Sequence, residues 1–326
     1  MRLGLCVLGC GSFAGVFARA VSRSVDEIDL FFASRDLARA REYAGRFNGV
    51  DAFGDYDSAA SDPRVDAIYV CTPHHLHREH VALAAGNGKH VLVEKPIAGT
   101  MADAQAMVEQ ASSAGVNLMV AENYRFLPPV QVAKNLADQG RLGQIRLVQF
   151  QEQYPFRPLG WRNQRELNGG GVLIDGGIHK FSALAYLSGR PSQVFAQKVL
   201  PGQPRLDAED GVVVVTRTDD GIVGLINHSW SVAPPTPHSW FAVSGTAGYL
   251  YSEPGQPWLR LLVGDNETIL DLEADSNGLA PMVREFHRSI AENREPTMTG
   301  REGIADLALV LKAHESMDTG LPAMLP

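Results

Sequence analysis

Three stretches of this chain hold side chains whose types and spacing could do chemistry. The first is His90–Pro96, read His-Val-Leu-Val-Glu-Lys-Pro. Val91–Val93 has the apolar, β-branched character of a buried parallel strand, and it ends on a carboxylate, an ammonium and a proline. In an open α/β sheet, ligands bind beyond the carboxyl ends of the strands, so Glu94 and Lys95 are expected to point into a cleft. The plainer alternative is an ordinary strand exit with a surface lysine. The second stretch is Gly9-Cys10-Gly11-Ser12-Phe13-Ala14, between the apolar run Leu3–Leu8 and the helix-patterned Gly15–Arg23. It is Gly-x-Gly-x-x-Gly/Ala in its required setting, strand before and helix after. Gly9 permits the tight turn, Gly11 lets a pyrophosphate approach the backbone, and Ala14 keeps the helix close to the sheet. Phosphates would rest on the helix N-terminal N–H groups, where the dipole favours an anion. The third stretch is Trp161-Arg162, followed by Gly169-Gly170-Gly171-Val172-Leu173-Ile174-Asp175-Gly176-Gly177-Ile178-His179. Three consecutive glycines bring backbone close to something or turn sharply. If the chain is helical after Leu173, Asp175 and His179 share a face and can form an acid/base unit. Asp175 capping a helix while His179 merely packs is the alternative.

The elements that must position these groups alternate in the first third of the chain. After Leu3–Leu8 come strands at Asp29–Ala33, Asp51–Phe53, Asp66–Cys71, Val91–Val93 and Asn117–Val120, with helices at Leu37–Arg46 and Met101–Ala114 among the connections. Right-handed crossovers wind such a run into a doubly wound parallel sheet. The second strand ends on Ser34-Arg35-Asp36, where an NAD site would carry an acid. A hydroxyl and a guanidinium suit a 2′-phosphate; Asp36 competes, but precedes Leu37–Arg46 and reads as its N-cap. NADP(H) is therefore favoured over NAD(H). Cys71, Thr72, Pro73 and His74 form the loop expected against the cofactor, with His74 or His77 near its pocket. His74, His75, His77 and His80 are dense enough to suggest a metal, but no cysteine or paired carboxylate completes a ligand set, and no metal is expected.

After Ala121 the texture changes. A helix at Val130–Gln139 is followed by strands at Ile145–Pro155, Gln193–Leu200, Val212–Arg217, Ile222–Ser231, Ser239–Ser244 and Leu259–Val263. Two-residue alternation, as in Ile145-Arg146-Leu147-Val148-Gln149-Phe150-Gln151, suits an antiparallel sheet with one helix-covered face. Gly189–Pro191 and Pro234–Pro237 read as turns, and Met282–Glu292 and Arg301–Met317 as closing helices. The fold class is α/β: an N-terminal Rossmann domain over residues 1–121, then an α+β domain with a largely antiparallel open sheet over 122–326, whose last helix is free to pack back on the first domain.

Composition narrows the partners. With 326 residues, two domains are the default. A net charge of −8 and no basic cluster argue against nucleic acid, and no stretch is long enough for a membrane span. Three cysteines without metal spacing read as reduced residues of a cytoplasmic protein.

Taken jointly and in order, the glycine fingerprint, Glu94-Lys95-Pro96 and Gly-Gly-Gly-x-x-x-Asp-x-x-x-His resemble the glucose–fructose oxidoreductase / inositol dehydrogenase (Gfo/Idh/MocA) family over nearly the whole chain. The resemblance implies that Lys95, Asp175 and His179 contact substrate beside the nicotinamide, that Trp161-Arg162 and Asn123 lie near the cofactor, that Lys95–Pro96 can be cis, and that the second sheet makes a homodimer or homotetramer. The family's usual Thr-Pro-Asn is Thr72-Pro73-His74 here, while Ser34-Arg35 resembles its NADP-using branch, dihydrodiol and sugar dehydrogenases included. The implied reaction is hydride transfer with a sugar, polyol, inositol or cyclic diol: His179 as acid/base, Lys95 on the reacting oxygen, Asp175 binding substrate and orienting His179. The rivals are a nicotinamide-dependent glycosidase, a non-catalytic dinucleotide-binding regulator, and a reductase of an unsaturated or imine substrate. Residues reading distal hydroxyls are expected on the loops Tyr154–Glu166 and Ser231–His238.

Overall fold

The structure is a computed structural model that describes residues 2–203, 206–234, 238–272 and 277–325. The chain divides into two compact units, Met1–Glu122 with Leu279–Ala305, and Asn123–Gly278 with Asp306–Pro326.

The first unit holds six strands: β1 (Leu3–Leu8), β2 (Ile28–Ala33), β3 (Asp51–Phe53), β4 (Ala67–Val70), β5 (His90–Glu94) and β6 (Leu118–Ala121). They form a wholly parallel sheet in the order β3-β2-β1-β4-β5-β6. β1 and β4 are buried along their whole length, which is why they read as unbroken apolar runs rather than alternating ones. The connections carry α1 (Ser12–Ser24), α2 (Leu37–Arg46), α3 (Tyr56–Ser61), α4 (His77–Gly86) and α5 (Met101–Ser113). The strand order reverses between β1 and β4, and the glycine loop leaves β1 there, at the switch point where such sheets bind ligands.

In the second unit, α6 (Pro128–Asp138), α7 (Arg165–Asn168) and α8 (Ile178–Ser188) accompany β7 (Ile145–Gln153), β8 (Gln193–Lys198), β9 (Gly211–Arg217), β10 (Val223–Ser229), β11 (Phe241–Gly245), β12 (Gly248–Ser252), β13 (Trp258–Val263) and β14 (Asn266–Asp271). α9 (Leu279–Ala291) belongs to the first unit, and α10 (Gly300–Thr319) and β15 (Ala323–Met324) end the chain. The sheet runs β14-β13-β12-β11-β7-β10-β9-β8-β15 among the described residues, antiparallel except where β7 lies beside β10. Val148 and Phe150 are buried on the face that α8 covers, and β9 buries Val212, Val214 and Thr216 while Val213 and Val215 are exposed. No described helix is long and apolar enough to cross a membrane.

Most expected elements are present with ends moved by one to three residues. Three strands, β12, β14 and β15, were not foreseen. β14 is exposed along almost its whole length, so it has no apolar face to read; β15 is two residues long. Beyond Pro234, the turn expected at Pro234–Pro237 lies outside the described residues, as does that part of the Ser231–His238 loop.

Candidate active site

In the first unit, Gly9 has φ +96°, and a β-carbon there would stand 2.9 Å from the Cys71 carbonyl oxygen; glycine is required by both conformation and space. Gly11 is the N-cap of α1, and a β-carbon on it would meet nothing within 4 Å. The Tyr43 hydroxyl donates to the Gly11 carbonyl at 2.9 Å and steadies the loop. No side chain caps α1 and its first turn carries no acid, so its N–H groups suit an anion. Ser12 and Phe13 open the helix, while Ala14 is fully buried and lets α1 lie close. These residues fit a dinucleotide pyrophosphate.

At the end of β2, Ser34 is buried and Arg35 exposed. Asp36 spends its carboxylate on the N–H groups of Ala38 and Arg39 at 3.0 and 3.3 Å, the capping role expected of it. Arg39 was not anticipated; it lies near enough to Cys10 to favour the thiolate, although burial, the larger effect, pushes that thiol up to about 11.

Glu94 and His77, both expected at the cofactor, also have partners within the protein. Glu94 is 7% exposed and accepts the Tyr69 hydroxyl. Burial raises its carboxyl to about 7 against the opposing influence of Lys95. His77 is fully buried: Nδ1 faces the carbonyls of Pro96 and Ile97 at 3.0 and 3.2 Å, and Nε2 faces that of Thr72 at 3.0 Å. Burial lowers its imidazole to about 4, although the three carbonyls favour the charged form. His77 thus ties the Thr72-Pro73 loop to the segment after Lys95, and His74 packs against it with ring centroids 5.6 Å apart. Glu94 and His77 brace the two strand exits because a helix and neighbouring strands close over both, which single-sequence reading does not reveal. Lys95–Pro96 is a cis peptide.

In the second unit, the glycine run is close to protein groups. A β-carbon on Gly170 would stand 2.7 Å from His314 Cε1, and one on Gly171 would strike the Glu209 carbonyl oxygen. Glu209 Oε1 accepts from the N–H groups of Gly171 and Leu173 at 3.1 and 3.2 Å and lies 3.2 Å from His314 Nε2. Leu173–Gly177 then winds as a π-turn before α8 begins; such turns recur at functional sites. Asp175 lies on this turn, 7% exposed, and accepts from Arg162 Nε at 3.0 Å. The Arg162 guanidinium stacks 4.4 Å from the Trp161 ring centroid.

An unforeseen residue, Tyr124 in the 3₁₀ turn Asn123–Phe126, packs on His179. Their rings stack with centroids 4.4 Å apart at 16°. The neighbouring Asn123 donates to the Asn277 carbonyl at 2.7 Å. Tyr124 and Glu152 also line a cavity of about 480 Å³ with Gln151, Gln153, Tyr154 and Trp240. The only sequence signal for Glu152 was its place in the inward-facing series Val148, Phe150, Glu152.

Fold and loop together define a protein with a dinucleotide-binding Rossmann unit and a second α/β unit that carries its own polar set. Residues 3–122 match the family model described as oxidoreductase family, NAD-binding Rossmann fold, and residues 130–251 match the GFO/IDH/MocA C-terminal domain. The chain is 30% identical to 1,5-anhydro-D-fructose reductase of Ensifer adhaerens, over 99% of this chain and 98% of that protein. It is 31% identical to trans-1,2-dihydrobenzene-1,2-diol dehydrogenase of Mus musculus, over 76% and 74%. Its fold matches aldose-aldose oxidoreductase from Caulobacter crescentus, solved with glycerol, at TM-score 0.91 and 27% identity over the whole of both chains. The chain belongs to the Gfo/Idh/MocA family of oxidoreductases.

Proposed function

We propose that the protein is an NADP(H)-dependent oxidoreductase acting on the carbinol or carbonyl carbon of a sugar, polyol, inositol or cyclic diol. One observation carries this reading: an open, uncapped phosphate loop occurs in the same chain as an intact Lys95, Asp175 and His179 set. Gly9, Gly11 and the first N–H groups of α1 would hold the pyrophosphate, and Ser34 and Arg35 the 2′-phosphate. When bound, the nicotinamide supplies the hydride chemistry. Lys95 binds the reacting oxygen and stabilises negative charge developing on it. His179 takes the hydroxyl proton during oxidation and returns it during reduction. Asp175, its carboxylate aimed by Arg162, binds a neighbouring hydroxyl. The amides and aromatic faces of the 480 Å³ cavity suit a hydroxyl-bearing ring, the kind of compound named for both curated relatives.

Strand register supports assembly of like copies through the second sheet. Val215, Leu225, Gln149, Ala242, Tyr251, Arg260 and Ile269 fall in one row across the sheet, with Val215 40% and Ile269 54% exposed.

The test is Lys95→Met, assayed for NADPH binding by fluorescence and for turnover on sugars, inositols and diols. Binding is expected to persist while turnover falls about 100-fold or more. Near-normal turnover would sink the catalytic assignment. Release of free sugar by the unaltered protein without accumulation of NADPH would favour a glycosidase.

A further inference from the structure

Lys180 follows His179 directly and is 1% exposed, in a helix whose neighbouring buried positions include Phe181, Ala183 and Leu184. A lysine is almost never fully buried without a partner or a task, and an apolar side chain at this position would avoid the desolvation cost. One residue further along a helix is 100° round it, so Lys180 and His179 leave the helix in different directions. It pairs with the Glu152 carboxylate on β7 and donates to the Gly176 carbonyl at 3.1 Å, on the turn that carries Asp175. It also lies 5.1 Å from the centroid of the Tyr124 ring. Glu152 Oε1 accepts the Tyr124 hydroxyl at 3.1 Å, and it is Tyr124 that stacks on His179.

Glu152 is held at its main chain too: His228 on β10 stands with Nδ1 2.7 Å from the Glu152 carbonyl oxygen. Burial, reinforced by Lys180, lowers the His228 imidazole to about 3, so it serves as a neutral donor. Burial alone would push the Glu152 carboxyl up; the Lys180 ammonium overcomes this and holds it below the usual carboxylate range. A β-carbon on Gly176 would strike His228 Nε2, so the turn, β7 and β10 meet at this cluster with no room to shift.

We propose that Lys180 is a positioning residue for the acid/base histidine: its ammonium fixes Glu152, Glu152 fixes the Tyr124 hydroxyl, and the Tyr124 ring fixes the plane of His179. The same ammonium holds the turn bearing Asp175, so one buried charge sets the aim of both polar groups. The inference rests on the acid/base role given to His179 above.

The decisive measurement is NMR of the histidine rings in the cofactor-free protein, with the His179 signals assigned by their loss in His179→Asn. Lys180→Met alone would leave the Glu152 carboxylate without its cation, so it is combined with Glu152→Leu, which removes both charges and with them the acceptor of the Tyr124 hydroxyl. The double variant is expected to fold with a melting temperature near that of the unaltered protein. Its His179 ring protons should lose the upfield ring-current shift from Tyr124, and kcat should drop 10- to 100-fold with the KM for NADPH unchanged. Tyr124→Phe keeps the ring but cuts its tie to Glu152, and is expected to show the same spectral change more weakly. If either folded variant keeps the original His179 ring shifts, or if the double variant recovers stability and turnover together, Lys180 does not position the histidine. Full turnover in His179→Asn would instead overturn the acid/base role itself, whatever the spectra show.

Discussion

Removing the titratable group at the end of β5 should change how stability depends on pH. Glu94 is buried beneath the sheet's carboxyl edge, and its Oε1 accepts the hydroxyl of Tyr69, a ring stacked 4.0 Å from Phe17. Burial raises its carboxyl from 4.5 to about 7, and the Glu122 carboxyl nearby pushes the same way. A rise of that size is worth about 3 kcal/mol between the two protonation states. The folded protein therefore holds this proton more tightly than the unfolded chain. The contribution is fully present below about pH 4.5 and is lost as the pH rises through about 7. Glu94→Gln keeps a carbonyl for Tyr69 to donate to and has nothing to titrate. Spread over the unfolding entropy of a chain of 326 residues, 3 kcal/mol corresponds to roughly 4–5 °C in melting temperature. Melting both proteins by circular dichroism from pH 5 to pH 8.5 should show the variant gaining that much relative to the unaltered protein, with the gain appearing between about pH 5 and 8. A difference between the two curves that stays constant across this range would refute the assignment of a raised carboxyl to Glu94.

The two loop glycines should separate stability from binding. Gly9→Ala places a β-carbon against Cys71 at φ +96° and is expected to destabilise by about 1–3 kcal/mol, read as a lower urea midpoint. Gly11→Val points into open space and should melt normally yet lose dinucleotide binding in a fluorescence titration. Arg35→Ala should weaken NADPH binding tenfold or more while leaving NADH binding unchanged; an equal loss for both would remove the arginine from the 2′-phosphate. Gly176→Ala forces a β-carbon onto His228 and should lower the melting temperature by several degrees, with loss of turnover wherever the fold survives.

The sequence alone determined whatever depends on neighbours along the chain. The glycine loop is legible because strand, turn and helix follow one another within 24 residues, and Asp36 is legible as a cap because capping is local. Lys95 stands out because the apolar run Val91–Val93 gives way at once to a carboxylate, an ammonium and a proline. The parallel sheet follows from the alternation of strands and helices, and the second sheet from two-residue periodicity; β14 escaped because an exposed strand carries no such period. Tertiary structure alone decided which polar groups face inward. The burial of Glu94 and His77 and their internal partners belong to the fold and not to the local sequence. The glycines at 170 and 171 make room for His314 and for Glu209, which no spacing rule brings near them. The cluster of Tyr124, Glu152, Lys180 and His228 is assembled from a 3₁₀ turn, two strands and a helix spread over more than 100 residues of chain. Its members recognise one another through charge and hydrogen bonding at contact distance. That distance is set by the way α8 packs on the β7–β10 pair, which no local pattern encodes.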